Sequence, residues 1–317
     1  MTPLTQKNWS KPETILFATE VPPNEKVFSF ALAQARQNHS RLILFHAYDT
    51  LVVASSEASG VRYYDFAAAA RTETSLLEPF AEQARADGIE CEVIVRPGLA
   101  ADQILSILRE KHIDRVVMGT RSPGPLGKIL VGSVAEAVLR SAHIPVCVIG
   151  PDVVDQAFTG YKTKNILCAV GLSESSHAVA LLAAELAVEN KARLVLMHVM
   201  RPEDRVRLLE EHPEGNLETD LVAMIPSEIQ EQISVETMIL SGDPAEEVLF
   251  QAKANKVDLI VLGAQEASVI STLARQGVAY RVLAHAQAPV LTISPLAREH
   301  ATSKKLHAVD VFLAGVF

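Results

Sequence analysis

RLILFHAY (Arg41–Tyr48) returns as RLVLMHVM (Arg193–Met200), a second apolar run with the same leading Arg and the same His. The two lie 152 residues apart, Arg41 to Arg193. Three further pairs keep step with them. ETILFATE (Glu13–Glu20) is matched by KNILCAVG (Lys164–Gly171), IDRVVMG (Ile113–Gly119) by VDLIVLG (Val257–Gly263), and IPVCVIGP (Ile144–Pro151) by APVLTISP (Ala288–Pro295). Leu16 and Leu167 are 151 apart, while Gly98 and Gly242, Asp114 and Asp258, and Pro145 and Pro289 are all 144 apart. Spacing this regular marks the duplication of one unit of about 145 residues, far longer than a solenoid or propeller repeat. The first copy carries about seven or eight extra residues between its second and third strand-like runs. They fall in the Ser55–Arg71 region, where ASSEASG (Ala54–Gly60) reads as loop. The expected division is a first domain over 1–152, a linker over 153–162, a second domain over 163–295 and a tail over 296–317.

Within each copy, short apolar runs rich in β-branched residues alternate with helical patterns. Continuous apolar runs such as ILCAV (Ile166–Val170) suit strands buried on both faces. Between the runs, Val27, Phe28, Ala31 and Ala35 in copy 1, and Ala178, Leu181, Leu182 and Leu186 in copy 2, follow helical spacing. GDPAEEV (Gly242–Val248) carries a helix start, with Asp243 as N-cap, Pro244 at the first helical position and Glu246 closing a capping box. The pattern predicts an α/β fold: two tandem open, mostly parallel sheets of about five strands each, with helices on both faces.

Composition narrows the function classes. In 317 residues, 29 Lys and Arg stand against 38 Asp and Glu, a formal net charge of −9, and aromatics are 5%. That balance lacks the basic footprint of a duplex-binding protein and the stacking residues of a single-strand groove, so no nucleic-acid partner is expected. No apolar run reaches the length of a bilayer span and the N-terminus reads as no secretory signal, so no membrane association is expected. Three cysteines, Cys91, Cys147 and Cys168, sit in apolar stretches without a CxxC pair, which points to a reducing, cytoplasmic setting.

The segment that carries chemistry follows the fourth strand of copy 1: MGTRSPGPLGKILVGSVAEAVL (Met118–Leu139). A Gly-rich loop running into a helix N-terminus presents free N–H groups and a positive dipole end, which suits phosphate. It is not a Walker loop, because Gly127-Lys128 is followed by Ile129, and no Gly-x-Gly-x-x-Gly follows the first strand.

The order of apolar strand, Met-Gly, Gly-rich loop, Gly-Ser, amphipathic helix and Pro-Val strand resembles the universal stress protein family in its tandem-domain form. The resemblance spans about Pro12–Pro151 and Thr163–Pro295. It implies a Rossmann-like fold of the adenine nucleotide alpha-hydrolase-like type in each half. Nucleotide-binding members of that family carry Gly-x2-Gly-x9-Gly-Ser/Thr after the fourth strand. Here the positions are Gly119, Ser122, Gly132 and Ser133, with Ser122 in place of the second glycine. The family's acidic residue after the first strand falls on Glu20, one methylene longer than the usual Asp, and the adenine-facing position falls on Ala47. By this resemblance Glu20, Ala47, Met118, Gly119, Arg121, Ser122, Gly132, Ser133 and Val134 would line an ATP site, with Mg²⁺ accompanying the nucleotide. In copy 2 the matching positions are Gly263, Glu266, Gln276 and Gly277, with Gly171 at the acidic position. A carboxylate at Glu266 opposes phosphate, so copy 2 is expected to act as a partner domain.

Plainer readings stand beside these. Ser133 and Glu136 read as a capping box opening the helix. Glu20 and Arg121 also suit solvated loop positions. His46 and His198 occupy equivalent strand ends and suit packing, while His112, His143, His177 and His285 fall near helix ends at the surface, so no metal set and no catalytic residues are assigned. The last strands of the two copies, Pro145–Ile149 and Pro289–Ile293, are candidates to pair within the chain. The apolar tail Ala308–Phe317 is a candidate to dock on the chain or on a second copy in a homodimer. The leading function is an adenine-nucleotide-responsive binding module of the stress-response type. The alternatives are a non-binding interaction scaffold of the same fold and, less favoured, a slow ATPase.

Overall fold

The computed structural model describes residues 8–48, 65–120, 131–153, 158, 160–202, 216–263 and 277–294. The first half runs β1 (Thr14–Ala18), α1 (Glu25–Asn38), β2 (Arg41–Tyr48), α2 (Phe66–Ala86), β3 (Cys91–Pro97), α3 (Ala100–Glu110), β4 (Arg115–Gly119), α4 (Ser133–Ser141) and β5 (Val146–Ile149). The second half runs β6 (Asn165–Ala169), α5 (His177–Asn190), β7 (Arg193–Met200), α6 (Leu217–Ala223), α7 (Ser227–Gln230), β8 (Val235–Ser241), α8 (Pro244–Ala254), β9 (Leu259–Gly263), α9 (Val278–His285) and β10 (Val290–Ile293). The two halves differ most between their second and third strands. There copy 1 has the 21-residue α2 and copy 2 has the short α6 and α7.

Strand alternation explains why the runs are apolar throughout. Ile15 and Phe17 of β1, with Leu42 and Leu44 of β2, belong to the core on one face, under α1, α2 and α5. Leu16 and Ala18, with Ile43 and Phe45, belong to the core on the other face, under α3, α4, α8 and α9. Successive side chains point to opposite faces, so a strand covered on both sides has no polar positions to spare.

All ten strands form one sheet, in the order β3-β2-β1-β4-β5-β10-β9-β6-β7-β8. Pairing within each half is parallel, and the halves meet through antiparallel β5 and β10, with Val148 opposite Val290 and Val146 opposite Thr292. The expected pairing of the last strands thus occurs within the chain and turns two five-stranded halves into one layer. The seam is tight. A Cβ on Gly150 would lie 2.9 Å from the Leu283 carbonyl oxygen, so only glycine lets that turn sit on the end of α9. Thr292 Oγ1 donates to the Val146 carbonyl at 3.2 Å inside the seam. Gln37 of α1 donates to Asn190 of α5 across it. On the same face Phe30, Phe158 and Tyr161 stack edge to face, and the Tyr161 hydroxyl donates to the Asp258 carbonyl at 2.7 Å. The described part of the expected linker is therefore docked, with Val153 and Phe158 buried.

The duplication extends to details that composition does not reveal. Asp114 Oδ2 accepts the backbone N–H groups of Glu13 and Thr14 at 2.9 and 2.8 Å, and Asp258 Oδ2 accepts those of Lys164 and Asn165, both at 2.8 Å. Each carboxylate staples the start of its half's first strand. His39 and Lys191 end α1 and α5 in the same left-handed conformation, at φ 56° and 50°.

Candidate functional site

Register brings four of the sequence-selected residues of copy 1, Glu20, Ala47, Met118 and Gly119, to neighbouring strand ends. Ala18 of β1 lies between Phe45 of β2 and Met118 of β4. Glu20 is two residues past Ala18, Ala47 two past Phe45, and Gly119 one past Met118, all at the carboxyl ends of parallel neighbours. The strand order reverses direction here, since β1 leads to β2 on one side and to β4 on the other. Such a switch point opens a crevice between the loops.

Each wall has a local cause. The Asn24 side chain accepts from the Val27 N–H at 3.2 Å and starts α1 directly after the β1 loop. Val27 then presses on the end of β4, where a Cβ on Gly119 would lie 3.2 Å from Val27 Cγ2. A side chain at 119 would fit only if Val27 gave way by a few tenths of an ångström. The loop between β1 and α1 is pinned by His46, whose Nδ1 lies 2.9 Å from the Thr19 carbonyl. His198 makes the equivalent contact with the Val170 carbonyl at 2.9 Å, so the packing role expected for both histidines is what they play. Glu20 is exposed at the crevice mouth, Ala47 is half-buried and Met118 is buried.

Helix α4 departs from the sequence reading in one respect. Gly132, not Ser133, is the N-cap of α4, and it brings no side chain to cap the first turn. The capping box is not formed because Ser133 is already the first helical residue, and Glu136 instead pairs with Arg140 one turn on, at 2.8 Å. Gly132 has φ −61° and ψ 152°, angles any residue adopts, so glycine is not demanded there by conformation. Val134 is half-buried and Ser133 exposed. Arg121 and Ser122 lie outside the described residues.

Thr120 is a residue the motif spacing passes over. Its amide donates to the Ile149 carbonyl at 3.1 Å, which fixes the chain at the end of β4. Its Oγ1 is buried with no hydrogen-bond partner among the described residues. A buried hydroxyl without a partner is costly unless something occupies the space before it. Its place between Gly119 and Arg121 was the available signal.

Copy 2 repeats the frame without the same chemistry. Gly277 is the N-cap of α9 at φ −63° and ψ 152°, again with no side-chain cap. It stands where the offset of 144 would place the counterpart of Ser133, so α9 starts one residue later and is eight residues long against nine in α4. Gly171 is exposed at the acidic position. Glu266 and Gln276 lie outside the described residues.

Among the described residues, no three His, Cys, Asp or Glu side chains are grouped to hold a metal ion. No helix there is long and apolar enough to cross a membrane. His112, His143, His177 and His285 are exposed. The three cysteines are free and buried. Burial pushes the Cys91 thiol up to about 11 and that of Cys147 to about 12, and raises Cys168 as well.

Comparison with known proteins bears on the family and the fold. The profile of the Universal stress protein family matches residues 12–150 and 162–294. The universal stress protein YxiE of Bacillus subtilis is 28% identical over 131 residues, 39% of this chain and 88% of its own length. The universal stress protein MJ0531 of Methanocaldococcus jannaschii is 39% identical over 62 residues, 20% of this chain and 36% of its own. Among solved structures, a universal stress protein from Archaeoglobus fulgidus superposes with a TM-score of 0.69 at 20% identity, covering 90% of this chain and 97% of its own. PA1789 of Pseudomonas aeruginosa, described as functionally unknown, superposes at 0.63 with 17% identity over 93% of this chain and 99% of its own. With two matched domains joined through β5 and β10, the chain belongs to the universal stress protein family and carries that domain twice.

Proposed function

We propose that copy 1 binds an adenine nucleotide, ATP with its Mg²⁺, and that copy 2 serves as its partner domain. The observation that supports the reading is the start of α4 at a Gly132 N-cap without a side-chain cap, in the segment that follows β4. The N–H groups of Ser133 and Val134 suit phosphate oxygens, and the helix dipole adds a favourable field. In this reading the buried Thr120 hydroxyl, one residue past β4, supplies a further donor. Ala47 and Met118 offer apolar contact for a base, and Glu20 an acceptor for ribose hydroxyls. In this reading Arg121 and Ser122 complete the phosphate contacts. Mg²⁺ arrives bound to the phosphates and adds charge neutralisation there.

The reading makes the protein a nucleotide-responsive binding module, with nucleotide shifting the population of loop and interface states. It places the protein in the cytoplasm, supported by three cysteines that are all unpaired. Equilibrium dialysis of nucleotide-stripped protein against labelled Mg·ATP tests it. Saturable binding that Gly132→Arg removes is the expected result. No retention at millimolar ATP would leave an interaction scaffold of the same fold.

A further inference from the structure

Tyr280 belongs to copy 2, yet its hydroxyl oxygen accepts the N–H of Val131 in copy 1 at 3.1 Å. Val131 is 4% exposed and immediately precedes Gly132, the N-cap of α4. We infer that Tyr280 is a positioning residue for the copy 1 site, so that the second domain sets the geometry of the first domain's phosphate-binding turn. This inference rests on the nucleotide reading and names how that site is controlled.

The physical argument begins with the buried amide. A backbone N–H shielded from water must find an acceptor or lose the solvation it gave up. The chain at Val131 is thus held where Tyr280 stands. Gly132 follows within one peptide unit, and its carbonyl accepts the Glu136 N–H at 2.9 Å to open the helix. A shift at Val131 therefore moves the N-cap and the N–H groups behind it.

Tyr280 is itself held firmly. It is half-buried against the core on that face of the sheet. The next residue, Arg281, pairs with Asp243 at 2.6 Å and with Glu246 at 3.3 Å, both at the start of α8. The phenol thus projects from a helix fixed to its own domain, three residues past the N-cap Gly277. Movement of the α9 start would reach Val131 through one hydrogen bond.

The residue of copy 1 equivalent to Tyr280, at the offset of 144, is Glu136, and its carboxylate is engaged by Arg140 on its own helix. A carboxylate also cannot offer the amphipathic reach of a phenol across an apolar seam.

Tyr280→Phe in the full chain removes only the hydroxyl. Two readouts separate the outcomes. In the unliganded protein, the Val131 amide proton resonance should move upfield and its exchange with solvent should quicken, with the thermal midpoint nearly unchanged. In a calorimetric titration, Mg·ATP should bind about 3- to 10-fold more weakly than to wild type, the effect of one neutral hydrogen bond. Wild type that binds ATP alongside a variant that binds equally well overturns the inference and leaves the nucleotide reading standing. An unmoved Val131 amide overturns it too. Wild type that binds no ATP overturns the nucleotide reading, and the inference falls with it.

Discussion

Asp114 shows what single residues contribute here. Its carboxylate is almost fully buried and accepts two backbone N–H groups at the start of β1, a task Asp258 repeats for β6. Asp114→Ala should cost about 2–4 kcal/mol in urea unfolding, since two charge-assisted bonds are lost and the donors stay shielded. A loss within about 0.5 kcal/mol would show the staple to be dispensable. The sequence exposed this residue only as a repeated Asp at a constant offset. Its partners come from the start of β1, 101 and 100 residues away, which no local pattern reveals. The cysteines were more legible, because apolar flanks alone imply burial. Native protein should leave Ellman's reagent unreacted at pH 8, with three thiols appearing only on denaturation. Rapid reaction of a thiol in the native state would contradict that burial.

At the scale of elements, strands read more clearly than helix ends. Apolar runs with β-branched residues located the strands because both faces are covered. Asp243 was also legible as an N-cap, and its side chain does accept the Glu246 N–H at 3.0 Å. Glu246 turns to Arg281 instead of reaching back, and Ser133 lies inside α4 instead of capping it. A tertiary partner engages the first carboxylate, and an i,i+4 pair with Arg140 engages Glu136 at the second. The left-handed ends of α1 and α5 at His39 and Lys191 were invisible, because neither residue type announces that conformation. Lys191 is exposed, so Lys191→Gly should relieve the strain and raise stability by up to about 1 kcal/mol, read from the chemical-denaturation midpoint. A lowered midpoint would contradict this. The Arg96 guanidinium grips Glu110 at 3.0 and 2.7 Å between β3 and α3, and holds its carboxyl down to about 2. A carboxylate lowered on folding adds stability above its ordinary value near 4.5, and that share fades as pH falls toward 2. Glu110→Gln should flatten the stability profile across that window and leave its shape at neutral pH alone. An unchanged acid limb would show the pair to be inert.

For the whole molecule, the decisive feature is the antiparallel step between β5 and β10. It merges two duplicated sheets and places α9 of copy 2 beside the α4 start of copy 1. Strand repetition made the duplication plain, and the apolar last strands suggested their pairing. Tyr280 was not legible, because its contact exists only once the seam has formed. Gly150→Ala should cost about 1–3 kcal/mol, since the new methyl meets the Leu283 carbonyl oxygen and forces the seam apart. Unaltered urea unfolding would show that the seam yields without strain. The central claim is a single nucleotide site in copy 1, and calorimetric titration of nucleotide-stripped protein with Mg·ATP tests it most directly. Wild type and Gly277→Arg should both saturate near one ATP per chain, and Gly132→Arg should show no binding heat. Silent wild type, or binding that survives Gly132→Arg and disappears in Gly277→Arg, would contradict the account.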